Sequence, residues 1–201
     1  MTMPTSTVTI SLQPAGRASS VDLSVTGMIT PSACTPSLSN GGVVDYGKIS
    51  AKDLNSDRET NLGDRTLQLS VTCEAASLYA LQAVDQRASS ATRADAFGLG
   101  RGEDARSWGW YAIALRNPVA DGVPVQAIGS TDEGATWYHN DLWMPGIQIA
   151  FASLTTGNQP LRVRELTVDL GVRAVIAPTN NLTLTNDNPI DGSATLEIVY
   201  L

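Results

Sequence analysis

The last ten residues, Gly192-Ser-Ala-Thr-Leu-Glu-Ile-Val-Tyr-Leu201, set the terms on which the rest of the chain is read. Ala194, Leu196, Ile198 and Tyr200 fall at every second position, so in an extended strand they project to one face while Thr195, Glu197 and Val199 project to the other. One face is apolar, and a glycine stands just before it. The same alternation returns near the other end, where Val21, Leu23, Val25 and Ile29 share a phase and Gly27 sits in it.

Two further stretches complete the pattern. Val43-Val-Asp-Tyr-Gly-Lys-Ile49 places an aromatic-Gly pair after a short apolar run, and Leu67-Gln-Leu-Ser-Val-Thr-Cys73 is an alternating strand that ends on the second cysteine. In this order the four stretches resemble a subunit of chaperone–usher pili: a strand with a mid-run Gly, a first half-cystine at Cys34, an early strand, the second half-cystine, and a C-terminal strand with a Tyr one residue from its end. ITPSACTPSLSNGGVVDYGKI and DGSATLEIVYL are most similar to the fimbrial-like bacterial family catalogued as domain of unknown function 1120.

That resemblance implies an all-β, immunoglobulin-like (pilin-type) β-sandwich completed by donor-strand complementation. Residues 21–201 would be a single domain, with 21–30 as the donor strand through Val21, Leu23, Val25, Gly27 and Ile29. Ala194, Leu196, Ile198 and Tyr200 would form the strand that faces a periplasmic chaperone. The implied partners are other fibre subunits, the chaperone and an usher; the implied place is the periplasm and cell surface of a Gram-negative bacterium. The implied function is that of a fibre subunit or minor component involved in adhesion or biofilm. The alternative is a self-contained secreted β-sandwich that binds a carbohydrate.

Bulk properties agree with one all-β domain. At 201 residues the chain is long enough to bury a core without a metal or a dense disulfide network. Few aromatics, few charges and many Thr, Ser, Gly and Asn favour short strands and tight turns. A net charge of -7 with scattered basic residues argues against nucleic acid as a partner. Two cysteines without a CxxC and one histidine, His139, do not make an ordinary structural zinc site, and nothing organises a cofactor. A Cys34–Cys73 disulfide is the better reading of the pair and implies an oxidising compartment; two buried thiols in a cytosolic protein are the alternative.

Residues 1–20 fit this scheme least. MTMPTSTVTISLQPAGRASS has neither the basic start nor the continuous apolar core of a secretory leader, and no stretch reads as a transmembrane span. Val8, Ile10 and Leu12 alternate before Pro14-Ala-Gly16 breaks the run. It is either a replacement leader with accidental alternation or an extra strand, native or engineered, that covers an exposed edge.

In the middle of the chain, Ala51 to Arg65 reads as a loop, Leu67 to Cys73 as a strand, and Ser77 to Val84 as its hairpin partner. Gln86 to Arg106 is a polar excursion with a short strand near Phe97 to Leu99. Trp108-Gly-Trp-Tyr-Ala-Ile-Ala-Leu115 is apolar on both faces and predicts a central strand, with Trp108 and Trp110 on one side in the core and Tyr111, Ile113 and Leu115 on the other. Ile147, Ile149 and Phe151 mark another strand. Leu161 to Ile176 shifts its apolar phase around Glu165, which predicts a bulge there, in a strand expected beside the C-terminal one. A short strand is expected at Leu182 to Leu184, within the loop that Pro178-Thr-Asn-Asn181 begins.

Ser130-Thr-Asp-Glu-Gly-Ala-Thr-Trp137 matches the Asp-box pattern of sialidase-like propellers, where the motif staples hairpins and recurs around the fold. It occurs once here and no blade-length repeat accompanies it, so Ser130, Asp132, Gly134 and Trp137 are read as a turn. Trp137, His139 and Asp141 form a candidate ligand rim for a glycan. No serine carries a nucleophile-elbow signature, and the carboxylates near His139 fall on an open hairpin tip, so the sequence predicts no enzyme.

Overall fold

The computed structural model describes residues 33–184 and 187–201, which fall within one compact unit, Pro31–Leu201. The proposed donor strand and the first twenty residues lie outside the described residues. In chain order the strands are β1 (Cys34–Leu38), β2 (Thr60–Asp85), β3 (Phe97–Gly98), β4 (Gly109–Ala120), β5 (Val123–Ser130), β6 (Tyr138–His139), β7 (Leu142–Trp143), β8 (Gln148–Ser153), β9 (Arg162–Ile176) and β10 (Ala194–Tyr200). The fold is an all-β sandwich, as the sequence predicts.

β2 is the axis of the molecule. Its first half belongs to one sheet, paired with β1 on one edge and β9 on the other, with β4 beyond β9. Its second half belongs to the other sheet, paired with β10 on one edge and β8 on the other, with β5 and β6 beyond. Leu67, Leu69, Val71, Tyr79 and Leu81 of this one strand therefore serve both layers. They meet Leu166 to Val172 of β9, Tyr111 to Leu115 of β4 and Ile149 and Phe151 of β8 in one apolar cluster. Burying each large side chain is worth about 1.5–3 kcal/mol, so this cluster is the main source of stability.

The hairpin expected between Leu67–Cys73 and Ser77–Val84 is not there. The chain runs straight on, and Glu74-Ala-Ala76 is the irregular crossing between sheets, where the register to β9 shifts between Thr72 and Ser77. Strand also begins earlier than expected, at Thr60 rather than after Arg65. The β9 phase shift is present: Val163 and Leu166 are both buried, with Arg164 and Glu165 exposed between them. Asp121 holds that bulge, its carboxylate accepting hydrogen bonds from the backbone N–H groups of Arg164 and Glu165 at 3.1 and 2.8 Å.

Three further expectations are corrected. β9 pairs with β2 and β4, so the neighbour of the C-terminal strand is the second half of β2, which reaches it by changing sheets. Val43–Ile49 joins no ladder among the described residues; its Val44 and Tyr46 pack on the core while Val43 is exposed. Residues 182–184 likewise form no strand.

The two tryptophans expected together part company. Trp108 is buried, but Trp110 lies on the outer face, its Nε1 donating to Glu59 at 2.9 Å beneath the Arg93 guanidinium. Gly109 between them has φ +152°, and a Cβ there would fall 2.0 Å from the Val175 carbonyl oxygen. Only glycine lets β4 enter the sheet this close to β9. Trp143, not singled out from sequence, is fully buried and donates from Nε1 to the Ile147 carbonyl.

Candidate functional site

β1 and β10 both lie along the edge of β2 away from β9 and β8, and they follow one another along it. β1 covers Leu69 to Cys73 and β10 covers Tyr79 to Asp85. Their nearest ends meet where the Cys34 backbone N–H donates to the Tyr200 hydroxyl at 2.9 Å. The Cys34–Cys73 disulfide joins directly opposed residues of β1 and β2, with Cα atoms 3.9 Å apart, at the same place. From this point the chain segments diverge: β1 and its continuation run along one sheet, β10 along the other.

Between them lies an apolar groove of about 250 Å³. One wall is Leu38, Val44 and Tyr46; the other is Ala194 and Leu196 of β10. The floor is core, including Leu67, Ile113, Leu170 and Val172. Ile190 and Leu99 close one end. Among the described residues β10 forms a ladder with β2 alone, and its other edge borders the apolar trough.

Each wall is fixed from outside the groove. The start of β10 is pinned by Asp191, whose N–H donates to the Leu99 carbonyl at 3.0 Å and whose carboxylate receives two hydrogen bonds from Arg87 at 2.7 and 2.9 Å. Asp85 in turn accepts from the backbone N–H groups of Arg87 and Gly98. On the opposite wall the Tyr46 hydroxyl donates toward the Val172 carbonyl at 2.8 Å and accepts from the Ala174 N–H at 3.0 Å. Those β9 groups face the register shift between Asn61 and Asp64 of β2. Burial pushes the Tyr46 hydroxyl pKa up, against the opposing pull of the Ala174 hydrogen bond.

The residues singled out in β10 divide between two surroundings. Ala194, Leu196 and Ile198 pack against the core, whereas Tyr200 is 41% exposed and reaches across to Cys34. In the sequence Tyr46 stands out only as part of an aromatic-Gly pair; its hydroxyl contacts depend on a bulge in a distant strand, for which the sequence carries no signal.

Ser130–Trp137 is a turn stapled by its own side chains. The Ser130 hydroxyl donates to Asp132 Oδ1 at 2.7 Å and accepts from the Gly134 N–H, and Asp132 accepts from both the N–H and hydroxyl of Thr136. These hydrogen bonds, the Thr136 hydroxyl first, lower the Asp132 pKa to about 2. Gly134 has φ +88°. Trp137 lies over a second, smaller apolar cluster on the outer face of the β10-containing sheet, formed by Ala80, Ile128, Ala150 and Ala152. Trp137, His139 and Asp141 line neither the groove nor the pocket beside the turn; His139 and Asp141 are exposed on the β6 side. Among the described residues no group of three or more His, Cys, Asp or Glu could hold a metal, and no helix is long and apolar enough to cross a membrane.

Residues 23–104 match the model of a family described as protein of unknown function (DUF1120), the family to which the pilin-like stretches are similar. Over 233 aligned positions the chain is 29% identical to the uncharacterized protein YhcF of Escherichia coli (strain K12), covering 96% of this chain and 94% of that protein. It is 28% identical to protein GltF of the same organism, covering 90% and 88%. The family match thus runs from Leu23, within the alternating stretch before Cys34, through both cysteines, and the formed Cys34–Cys73 disulfide suits an oxidising compartment.

Proposed function

We propose that the chain is a structural subunit, or a minor component, of a chaperone–usher surface fibre assembled by donor-strand exchange, and not an enzyme. The observation that carries this reading is the groove between Leu38–Tyr46 and β10, an apolar trough flanked by a strand edge with no ladder partner among the described residues. An added strand would gain main-chain hydrogen bonds along that edge and bury alternate side chains in the trough, the chemistry of strand addition, for which chaperone–pilin complementation is an established general example. The alternating segment Val21, Leu23, Val25, Gly27 and Ile29 has the period such an occupant requires. Four apolar side chains at about 1.5–3 kcal/mol each, with the hydrogen bonds, would make a long-lived joint. In this reading a periplasmic chaperone fills the groove first and the next subunit replaces it.

The test uses the full chain purified from the periplasm, sized over time at several concentrations, beside Gly27→Trp and Leu196→Glu variants. Donor-strand exchange predicts a ladder of polymers from the unaltered chain, with each variant blocked at the donor or the groove while its disulfide-bonded monomer stays folded. Mixing the two variants should restore dimers, because each retains the element the other lacks. A chain that stays monomeric at all concentrations and does not bind a peptide of residues 20–30 would overturn the reading.

A further inference from the structure

On the outer face of the second sheet, the side of β10 turned away from the groove, lies a pocket of about 530 Å³. Its floor is a row of opposed residues: Gln82 of β2 is the register partner of Gln148 of β8, and Gln148 is the partner of Ser130 of β5. Thr131 and Glu133 of the stapled turn, with Gly146, form one side; Val199 and Leu201 form the other. Among the described residues none lines both this pocket and the groove, so the two are separate surfaces.

The polar groups here are largely unspent. The Gln148 Oε1 is buried without a hydrogen-bond partner, although the natural expectation for such an atom is a partner. Among the described residues the side chains of Gln82, Thr131 and Glu133 likewise make no hydrogen bond. Ser130, by contrast, is committed to the turn: its hydroxyl is engaged by Asp132 and Gly134. The stapled turn therefore holds a rigid wall while the neighbouring amides remain available.

We propose that this pocket binds a neutral saccharide, with the paired Gln82 and Gln148 amides, aided by Thr131 and Glu133, exchanging hydrogen bonds with its hydroxyls. Amide side chains offer donor and acceptor together, which suits a sugar hydroxyl that is itself both. Val199 and Leu201 supply an apolar patch for the C–H face of a pyranose ring. The volume lies within the usual range for small-molecule pockets, about 300–1,000 Å³. Among the described lining residues Glu133 is the one charged side chain, on a chain of net charge -7, so anionic sugars are disfavoured. This site is independent of strand exchange and would sit on the flank of each subunit.

The test titrates the isotopically labelled full chain with mannose, galactose and N-acetylglucosamine oligosaccharides, and with sialyllactose as the anionic probe, following backbone and side-chain amide signals. A neutral saccharide should bind saturably and shift the Gln82 and Gln148 side-chain amides. Gln82→Ala/Gln148→Ala should weaken that binding about tenfold or more, and Thr131→Val less, with thermal unfolding unchanged. No saturable binding of any neutral saccharide at about 10 mM, a preference for sialyllactose, or shifts confined to other parts of the chain would each overturn the proposal. Because the amide shifts are read on the unaltered chain, a misfolded variant does not rescue or sink it. A peptide of residues 20–30, which addresses only the groove, separates failure here from failure of the fibre reading.

Discussion

Replacing Tyr46 by Phe removes one oxygen and nothing else from the groove wall. The ring remains in place on the core, and its contact with the Arg65 guanidinium, 5.1 Å from the ring centre, is kept. Lost are the hydrogen bonds to the Val172 carbonyl at 2.8 Å and from the Ala174 N–H at 3.0 Å, and the longer one to the Gly63 carbonyl at 3.3 Å. Two strand groups of β9 are then left without this partner. An orphaned buried backbone group costs about 1–3 kcal/mol, and partial access of water to the half-buried site brings the expected total to about 2 kcal/mol. For a domain of this size that corresponds to a fall of roughly 4–8 °C in Tm. Equilibrium urea unfolding under oxidising conditions, checked by Tm, measures it. The pH dependence gives a second handle. Burial raises the hydroxyl pKa above its usual value, so the contribution is fully present below about pH 10, the unfolded value, and fades as pH rises through the higher folded value. The difference between the two proteins should therefore be flat near neutrality and shrink at strongly alkaline pH. A neutral-pH difference below about 0.5 kcal/mol would refute the argument that this hydroxyl completes the bulged edge of β9.

Asp64 holds Arg173 at 2.6 Å and Arg116 at 2.8 Å on the outer face, and these hydrogen bonds, Arg173 first, lower its pKa to about 2. Because all three side chains are partly exposed, Asp64→Asn should cost only about 1 kcal/mol at neutral pH. The depressed pKa makes that contribution present above the ordinary carboxylate range and lost as pH falls through about 2, so acid titration of both proteins should converge there. Reducing Cys34–Cys73 reopens a 39-residue separation and should lower stability by about 4 kcal/mol in the chain-entropy model, read as a drop in urea midpoint with reductant. Trp137→Ala should uncover Ala80, Ile128, Ala150 and Ala152 and cost about 2 kcal/mol, less than a fully buried tryptophan because Trp137 is only partly buried; unfolding by circular dichroism measures it.

Alternation made much of this fold legible. Leu67 to Cys73, the strand at Ile149 and Phe151, the phase shift at Glu165 and the C-terminal strand all carry a period-two signal because each has one face on the core. The crossing at Glu74-Ala-Ala76 reads as a turn from sequence for a physical reason. A strand that leaves one sheet for another must pass through a few residues buried in neither, and these are small or polar, as turn residues are. The error at β9 follows from it: without the crossing, β2 cannot reach β10, and β9 is the obvious substitute. The groove was legible only through its flanking strand, since the Leu38–Tyr46 segment, Leu170 and Leu196 come from three distant parts of the chain. The polar pocket had no sequence signature at all, because Gln82, Gln148 and Ser130 become a row through cross-strand register alone.

That crossing also explains why the groove exists. Had β2 stayed in one sheet, β1 and β10 would lie end to end along a single edge, and Leu38 would point away from Leu196. Instead β2 bends between Thr72 and Ser77, and the two segments attached to that edge become facing walls hinged at Cys34 and Tyr200. The hinge is tied covalently by the disulfide and also by the Cys34–Tyr200 hydrogen bond, while Asp121 fixes the matching bulge in β9. The separation of the walls is thus a property of three neighbouring elements rather than of a surface loop. Asp121→Ala should accordingly weaken capture of a residue 20–30 peptide by more than its loss of stability accounts for, measured by peptide binding at temperatures well below unfolding. Equal peptide affinity in Asp121→Ala and the unaltered chain would show that the spacing of the walls is set elsewhere, by the disulfide end of the hinge alone.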